Sequence, residues 1–403
     1  MLIDTVALAQ YYYHSTCVLL GENMKITEIE PLIIEVNARG DWVFVLIHTD
    51  VGITGLGEAS HGSNDALMVA MIEQLSAQLV GEDPREISTI WSRIAKQSVG
   101  RVGNTAVSAI EQALWDILGQ SLGVPIHTLF GGAIHKRLRL YANINRHMKD
   151  RSPASFATAA KQAVDEGFTA IKLAPFDELV SPHRIRTGPN AASRPGIERV
   201  KAVRAAIGDQ VELAVDCHSR METSEAIRVG HELAACNLFW YEEPVPEAFP
   251  DELAKVAAAV PMPVAAAESV YCMEGFRPFL TERVVDVIMP DVKHNGGLME
   301  TKRIAGAARM HNVLVAPHQP AGPVATAATA QVVSTDANFY VLEHAWGEVS
   351  WRANLLQPAE RIEDGHLILA AESGIGHRLN PEIVAQYRKS IASVRDSSKA
   401  LST

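Results

Sequence analysis

Two patterns of apolar and polar residues divide this chain. After Met24, the stretches MKITEIEPLIIEVN and DWVFVLIHTD alternate in character, which predicts antiparallel strands, and TDVGITGLGEAS predicts a turn and a third strand. Three helical stretches follow: ALMVAMIEQLSAQLVG, PREISTIWSRIAKQ and TAVSAIEQALWDILGQSLG. In the last, Val107, Ile110, Ala113, Leu114 and Ile117 recur three and four apart, which predicts one buried face. Gly123 and Pro125 stop it. Strands followed by helices predict an α+β module over residues 24–136.

From Leu138 the pattern changes to apolar runs alternating with helical stretches. Each run ends on a polar or ionisable residue: Asn143, Lys172, Asp216, Glu242, Glu268, Asp291, His318 and Glu343. The last six are spaced 23–27 residues apart. Such a repeat predicts consecutive strand–helix units of a parallel sheet, and eight strand ends are the number a closed β/α barrel needs. The polar residue lies at the carboxyl end of its strand, the end that carries the site in such barrels. The barrel is expected over 137–350. Residues 351–403 are expected to return toward the first module as strands and a late helix, with a disordered tail. Residues 177–196 are long, polar and rich in Pro and Gly, which predicts a lid or a substrate wall.

Composition narrows the partners. A net charge of −11 over 403 residues argues against nucleic acid or an anionic membrane as the main partner. No apolar run approaches the ~20 residues a membrane helix needs. The four cysteines are scattered, as in a reducing, cytoplasmic setting. Residues 1–23 read as an extension without an assigned role; Asp4 interrupts their apolar stretch and no basic residue precedes it, unlike a secretory signal.

The strand-end residues suggest chemistry. Asp216, Glu242 and Glu268 would repel one another in a cleft unless a hard divalent cation sat among them, and all-oxygen ligands suit Mg²⁺. Glu242 is preferred to Glu243, whose side chain would leave the strand on the opposite side. Asp291 is placed one strand before His318, where it could fix the imidazole tautomer and raise its basicity. His218, two residues past Asp216, is expected on the same side of its strand, as a general acid. Lys172 could neutralise a substrate carboxylate. A protonated Glu343 could donate to a developing enolate oxygen. Arg146 and Lys293 are candidates for binding substrate.

With these residues in place, the chain resembles the mandelate racemase/muconate lactonizing enzyme branch of the enolase superfamily. AIEQALWDILGQSLGVPIHTLFGG, VDCHSR, WYEEPVP, DVIMPDVKHNGGLMETKRIA and APHQPAGPVA carry the likeness. It implies an N-terminal α+β capping domain over a modified TIM barrel, (β/α)₇β. It implies Asp216, Glu242 and Glu268 as Mg²⁺ ligands, His318–Asp291 as the base dyad and Glu343 as the enolate partner. Relatives assemble as dimers or octamers, which implies a homo-oligomer. Within the branch, Asp216-Cys217-His218-Ser219-Arg220 is most similar to acid-sugar (galactonate-type) dehydratases, whose histidine at this strand protonates the departing hydroxyl. The implied activity is dehydration of a sugar acid, an aldonate or aldarate, to a 2-keto-3-deoxy acid. An epimerase or cycloisomerase on the same scaffold is the alternative, and a non-catalytic metabolite-binding barrel a third. The chain departs from the racemases in carrying Ala174 where they have a second lysine, and from the dehydratases in Ser269-Val270-Tyr271 after Glu268.

Overall fold

The computed structural model describes residues 23–60, 65–97, 99–179 and 192–394. The extension before residue 23, most of the 177–196 stretch and the tail expected to be disordered lie outside them.

Strands β1 (Ile26–Asn37), β2 (Gly40–Thr49) and β3 (Thr54–Glu58) form an antiparallel sheet in that order. Helices Asp65–Ser76 and Gly100–Leu122 pack on it, and Ile87–Ala95 packs on the latter. The sheet meets the long helix without side chains between them at two positions. A Cβ on Gly57 would lie 2.0 Å from the Ala109 carbonyl oxygen, and one on Gly55 2.2 Å from that of Ala113. The long helix is not buried on one face only, as its spacing predicts. Every residue from Thr105 to Ile117 is buried, because the sheet, two neighbouring helices and a barrel helix together enclose it.

The barrel has eight parallel strands: β4 (Arg137–Asn143), β5 (Ala170–Leu173), β6 (Glu212–Asp216), β7 (Trp240–Glu242), β8 (Val264–Ala266), β9 (Val287–Ile288), β10 (Leu314–Val315) and β11 (Leu342–His344). β4 to β10 pair in sequence, β11 pairs in parallel with β4, and a parallel bridge from Val315 in β10 to Phe339, just before β11, joins the other side of the ring. A helix follows each of the first seven strands and none follows β11 before the chain leaves the barrel. The architecture is therefore (β/α)₇β under an α+β cap.

The interior is filled in layers, as strand periodicity requires. One layer is apolar: Tyr141, Ala170, Ala214, Trp240, Ala265, Val287, Met289, Ala316 and Val341. The small alanines leave room for Trp240, which meets Tyr141 edge to face at 5.3 Å. Two residues further along seven of the strands the side chains facing inward are Asn143, Lys172, Asp216, Glu242, Asp291, His318 and Glu343. β8 differs, because Ala267 stands at φ +84°. That left-handed residue delays the ionisable position to Glu268.

Two buried carboxylates plug the cap into the barrel. Glu58 accepts from the backbone N–H of Gly322 (2.7 Å) and Ala325 (2.8 Å) at the start of helix Pro323–Val333. Glu111 accepts from Leu298 (2.7 Å) and Met299 (3.0 Å) at the start of helix Leu298–Met310. Each satisfies free helix N–H groups and meets the positive end of the helix dipole. After the barrel the chain returns to the cap, where a strand at Arg388–Lys389 pairs antiparallel with β1.

Candidate active site

Asp216, Glu242 and Glu268 converge at the carboxyl ends of β6, β7 and β8. One oxygen from each lies within 4.8 Å of the others. Burial and the charge of Asp216 push Glu242 upward. Glu268 Oε2 is buried with no hydrogen-bond partner. Three crowded carboxylates with an unsatisfied oxygen are the donor set for a hard divalent cation. Among the described residues one other such group comes together, Cys272, Glu274 and Glu300. There Glu300 accepts from the Met273 N–H and from Arg303, and burial pushes the Cys272 thiol up to about 11. It therefore serves as a helix terminus.

Glu243 leaves the ligand cluster. It stands at φ +39° just past β7, and its Oε2 accepts from Ser219 Oγ at 3.2 Å. Burial and Glu268 hold its carboxyl well above the usual range.

Lys172 is 1% exposed and does not stand free to meet a substrate carboxylate. Its ammonium lies 2.7 Å from Glu242, 3.0 Å from Glu343 and 3.6 Å from Asp216. Burial works against its charge, but Glu242 and Glu343 outweigh that and keep it cationic. The lysine thus partly balances the acids among which a cation would sit.

His318 Nδ1 is 2.7 Å from Asp291 Oδ2. Its Nε2 faces the ligand cluster, 3.2 Å from Glu268 Oε2. Burial disfavours the imidazolium; Glu268 and Asp291 more than compensate, and its pKa rises. Asp291 is fully buried and also holds Lys293, through the backbone N–H at 2.8 Å and the ammonium at 2.5 Å. Lys293 lines the cavity, but its ammonium is paired with Asp291 rather than open to a substrate.

His218 reaches the site by a route the strand period does not describe. β6 ends at Asp216, and His218 lies in a turn at φ +46°. That turn brings its Nε2 to 3.0 Å from Asp216 Oδ2, while Nδ1 meets Asp177. Asp216 is the main cause of a pKa raised well above the ordinary histidine value, with Asp177 adding to it. Both carboxylates favour the charged form of the half-buried ring.

Glu343, expected as a protonated donor, is ringed by donors instead. It accepts from Asn143 Nδ2 (2.7 Å) and the Gln319 N–H (2.8 Å) as well as facing Lys172. Burial favours the neutral acid, but Lys172 and His318 hold the carboxyl below its usual range. Arg146 lines the cavity and is paired with Glu348 at 2.7 Å. Arg39, Arg101, Asn145 and Asp177 also take part in or border the site and were not picked out from sequence. Of these, Asp177 opens the 177–196 stretch expected as a lid or substrate wall, and Arg39 lies at a hairpin turn.

Comparison with known proteins shows the family. Residues 22–131 match the mandelate racemase/muconate lactonizing enzyme N-terminal domain, and residues 155–383 the enolase C-terminal domain-like family. The chain is 32% identical to a D-xylonate dehydratase of Haloferax volcanii, over 90% of this chain and 89% of that one. It is also 32% identical to a D-galactonate dehydratase of Verminephrobacter eiseniae, over 86% and 90%. A solved member of the enolase superfamily from Salmonella Typhimurium superposes with a TM-score of 0.83 at 30% identity, over 90% of this chain and 98% of that one. Among the described residues no helix is long and apolar enough to cross a membrane. The chain belongs to the mandelate racemase/muconate lactonizing enzyme branch of the enolase superfamily.

Proposed function

We propose that this protein is a Mg²⁺-dependent dehydratase of a sugar acid, converting an aldonate or aldarate to a 2-keto-3-deoxy acid. The observation that carries this reading is that two imidazoles of different surroundings touch one carboxylate cluster: His318 through Glu268 and His218 through Asp216. One is tied by its far nitrogen to a buried aspartate, as a base requires; the other is held cationic, as an acid requires. Relatives at about this similarity named as dehydratases of D-xylonate and D-galactonate support it.

Asp216, Glu242 and Glu268 would hold the cation, which when bound supplies the positive charge that makes an α-proton next to a carboxylate removable. His318 Nε2 takes the α-proton, and the C–H electron pair becomes the enediolate double bond. Asp291 keeps the imidazole in the tautomer that leaves Nε2 free. Lys172, held by Glu242 and Glu343, adds a fixed positive charge at the cluster. Collapse of the enediolate forms the C2–C3 double bond and breaks the C3–O bond. His218 gives its proton to the departing hydroxyl, which leaves as water, and the enol tautomerises to the keto acid. Glu343, ionised and fixed by Asn143 and Gln319, holds Lys172 at the cluster.

The test is a panel of aldonates and aldarates with magnesium, scored for 2-keto acid with semicarbazide. Product from at least one acid, abolished by His318→Asn, is expected. No product from any acid, or unchanged product in the variant, would sink the reading. Solvent deuterium at the α-carbon with no keto acid would point to an epimerase or cycloisomerase.

A further inference from the structure

The cavity over the carboxylate cluster has two lobes. The inner one, about 180 Å³, is bounded by Asp216, Glu268, Lys172 and His318. The outer one, about 100 Å³, continues under the β1–β2 hairpin to Asp41, Trp42 and Ser60. Arg39, Arg101 and Arg146 line both lobes, as does His318.

The charges around the outer lobe are unequally balanced. Arg146 is paired with Glu348, Lys293 with Asp291, and Asp41 with Lys389 at 2.8 Å. Arg101 meets Ser269 Oγ at 3.3 Å and His294 Nε2 at 3.0 Å, but no carboxylate, and its Nε is buried without a partner. The Arg39 side chain has no hydrogen bond or ion pair to any described residue. Partial burial and the neighbouring Arg146 disfavour its charge, while Asp177 and Glu348 favour it, and the net effect is a lowered pKa. Neither guanidinium is ion-paired with a described carboxylate, and both reach the outer lobe, whose lining includes neither Asp216 nor Glu268. Arginine presents a planar fork of donors that matches a carboxylate bidentately.

We propose that Arg39 and Arg101 bind a second carboxylate at the far end of the substrate, so that the substrate class is a dicarboxylic sugar acid rather than an aldonate. This rests on the dehydratase reading for the placement of the first carboxylate. With the α-carbon at His318 Nε2, the rest of the carbon chain runs past His318, which both lobes share, toward the two guanidiniums.

The experiment is calorimetry on magnesium-saturated His318→Asn protein with three ligands of matched stereochemistry: a hexarate, a hexonate and a 6-phosphohexonate. The hexarate is expected to bind at least about tenfold tighter than the hexonate, the scale of one charged hydrogen bond. Arg39→Gln and Arg101→Gln, each in that background, are expected to bring the ratio toward one. The exposed hairpin position of Arg39 makes its variant the safer one to fold. Equal binding of hexarate and hexonate overturns the proposal, and so does tighter binding of the phosphate. The keto-acid assay with His318 intact separates the two readings. Arginine-dependent hexarate binding with no product from any acid fails the dehydratase reading and leaves this one standing. Product from hexonates without a hexarate preference does the reverse.

Discussion

Asp291→Asn is predicted to damage stability and rate by separable routes. In the folded protein Asp291 is completely buried and faces the Lys293 ammonium at 2.5 Å, the Lys293 N–H at 2.8 Å and His318 Nδ1 at 2.7 Å. Burial alone would raise its pKa, but Lys293, His294 and His318 hold it well below the ordinary 3.8. A depressed folded value means the stabilisation is present above the unfolded pKa and lost only as pH falls through the lower folded one. A melt at pH 7.5 therefore sees all of it. The asparagine strands the Lys293 ammonium, itself 2% exposed. Breaking a buried pair by removing one partner costs about 3–5 kcal/mol. At roughly 2 °C per kcal/mol for a chain of this size, the melting midpoint should fall by about 6–10 °C. Adding Lys293→Met removes the stranded charge and should recover about half the loss or more. The rate should not recover, because His318 still lacks its carboxylate, and loss of that orientation costs about 10²–10⁴-fold. Thermal melts and keto-acid rates on the single and double variants measure both. A single variant that melts with wild type, or a double variant that regains activity, would refute the reasoning.

Two further outcomes follow from the geometry. Gly57→Ala forces a methyl to within 2.0 Å of the Ala109 carbonyl oxygen, and the strand–helix separation that it opens should cost about 1–3 kcal/mol in urea titration; an unchanged midpoint would show that the contact is slack. His218→Asn should still exchange the substrate α-proton in D₂O, seen by NMR, while keto acid formation falls about 10²-fold or more; loss of both together would place His218 in the proton abstraction instead.

The barrel was legible because its strands end alike. Asp216, Glu242, Asp291, His318 and Glu343 all follow an apolar position by two, and that period survives even where a strand is only two or three residues long. What escaped was set by single left-handed residues. Ala267, His218 and Glu243 stand at positive φ without being glycine, so nothing in composition announces that Glu268 arrives one residue late or that His218 turns back onto Asp216. The protonation expected of Glu343 also escaped, because it depends on Asn143, Lys172 and the Gln319 N–H, which come from three other strand ends. The one-sided helix failed for a related reason. Its polar side carries Glu111 and Asp116, which look solvent-facing in sequence, yet each is a buried acceptor of backbone N–H groups from distant segments.

The strand at Arg388–Lys389 has a consequence for how the molecule is made. It closes the outer edge of β1 through Ile33 and Ile34, and Lys389 reaches Asp41, 348 positions earlier, at 2.8 Å. Translation delivers β1 before any barrel residue and its clasp after all of them. Until those clasp residues have been made, that edge of β1 stays open, ready to pair with a stranger. The sheet of the cap is thus begun before the barrel and latched only after it.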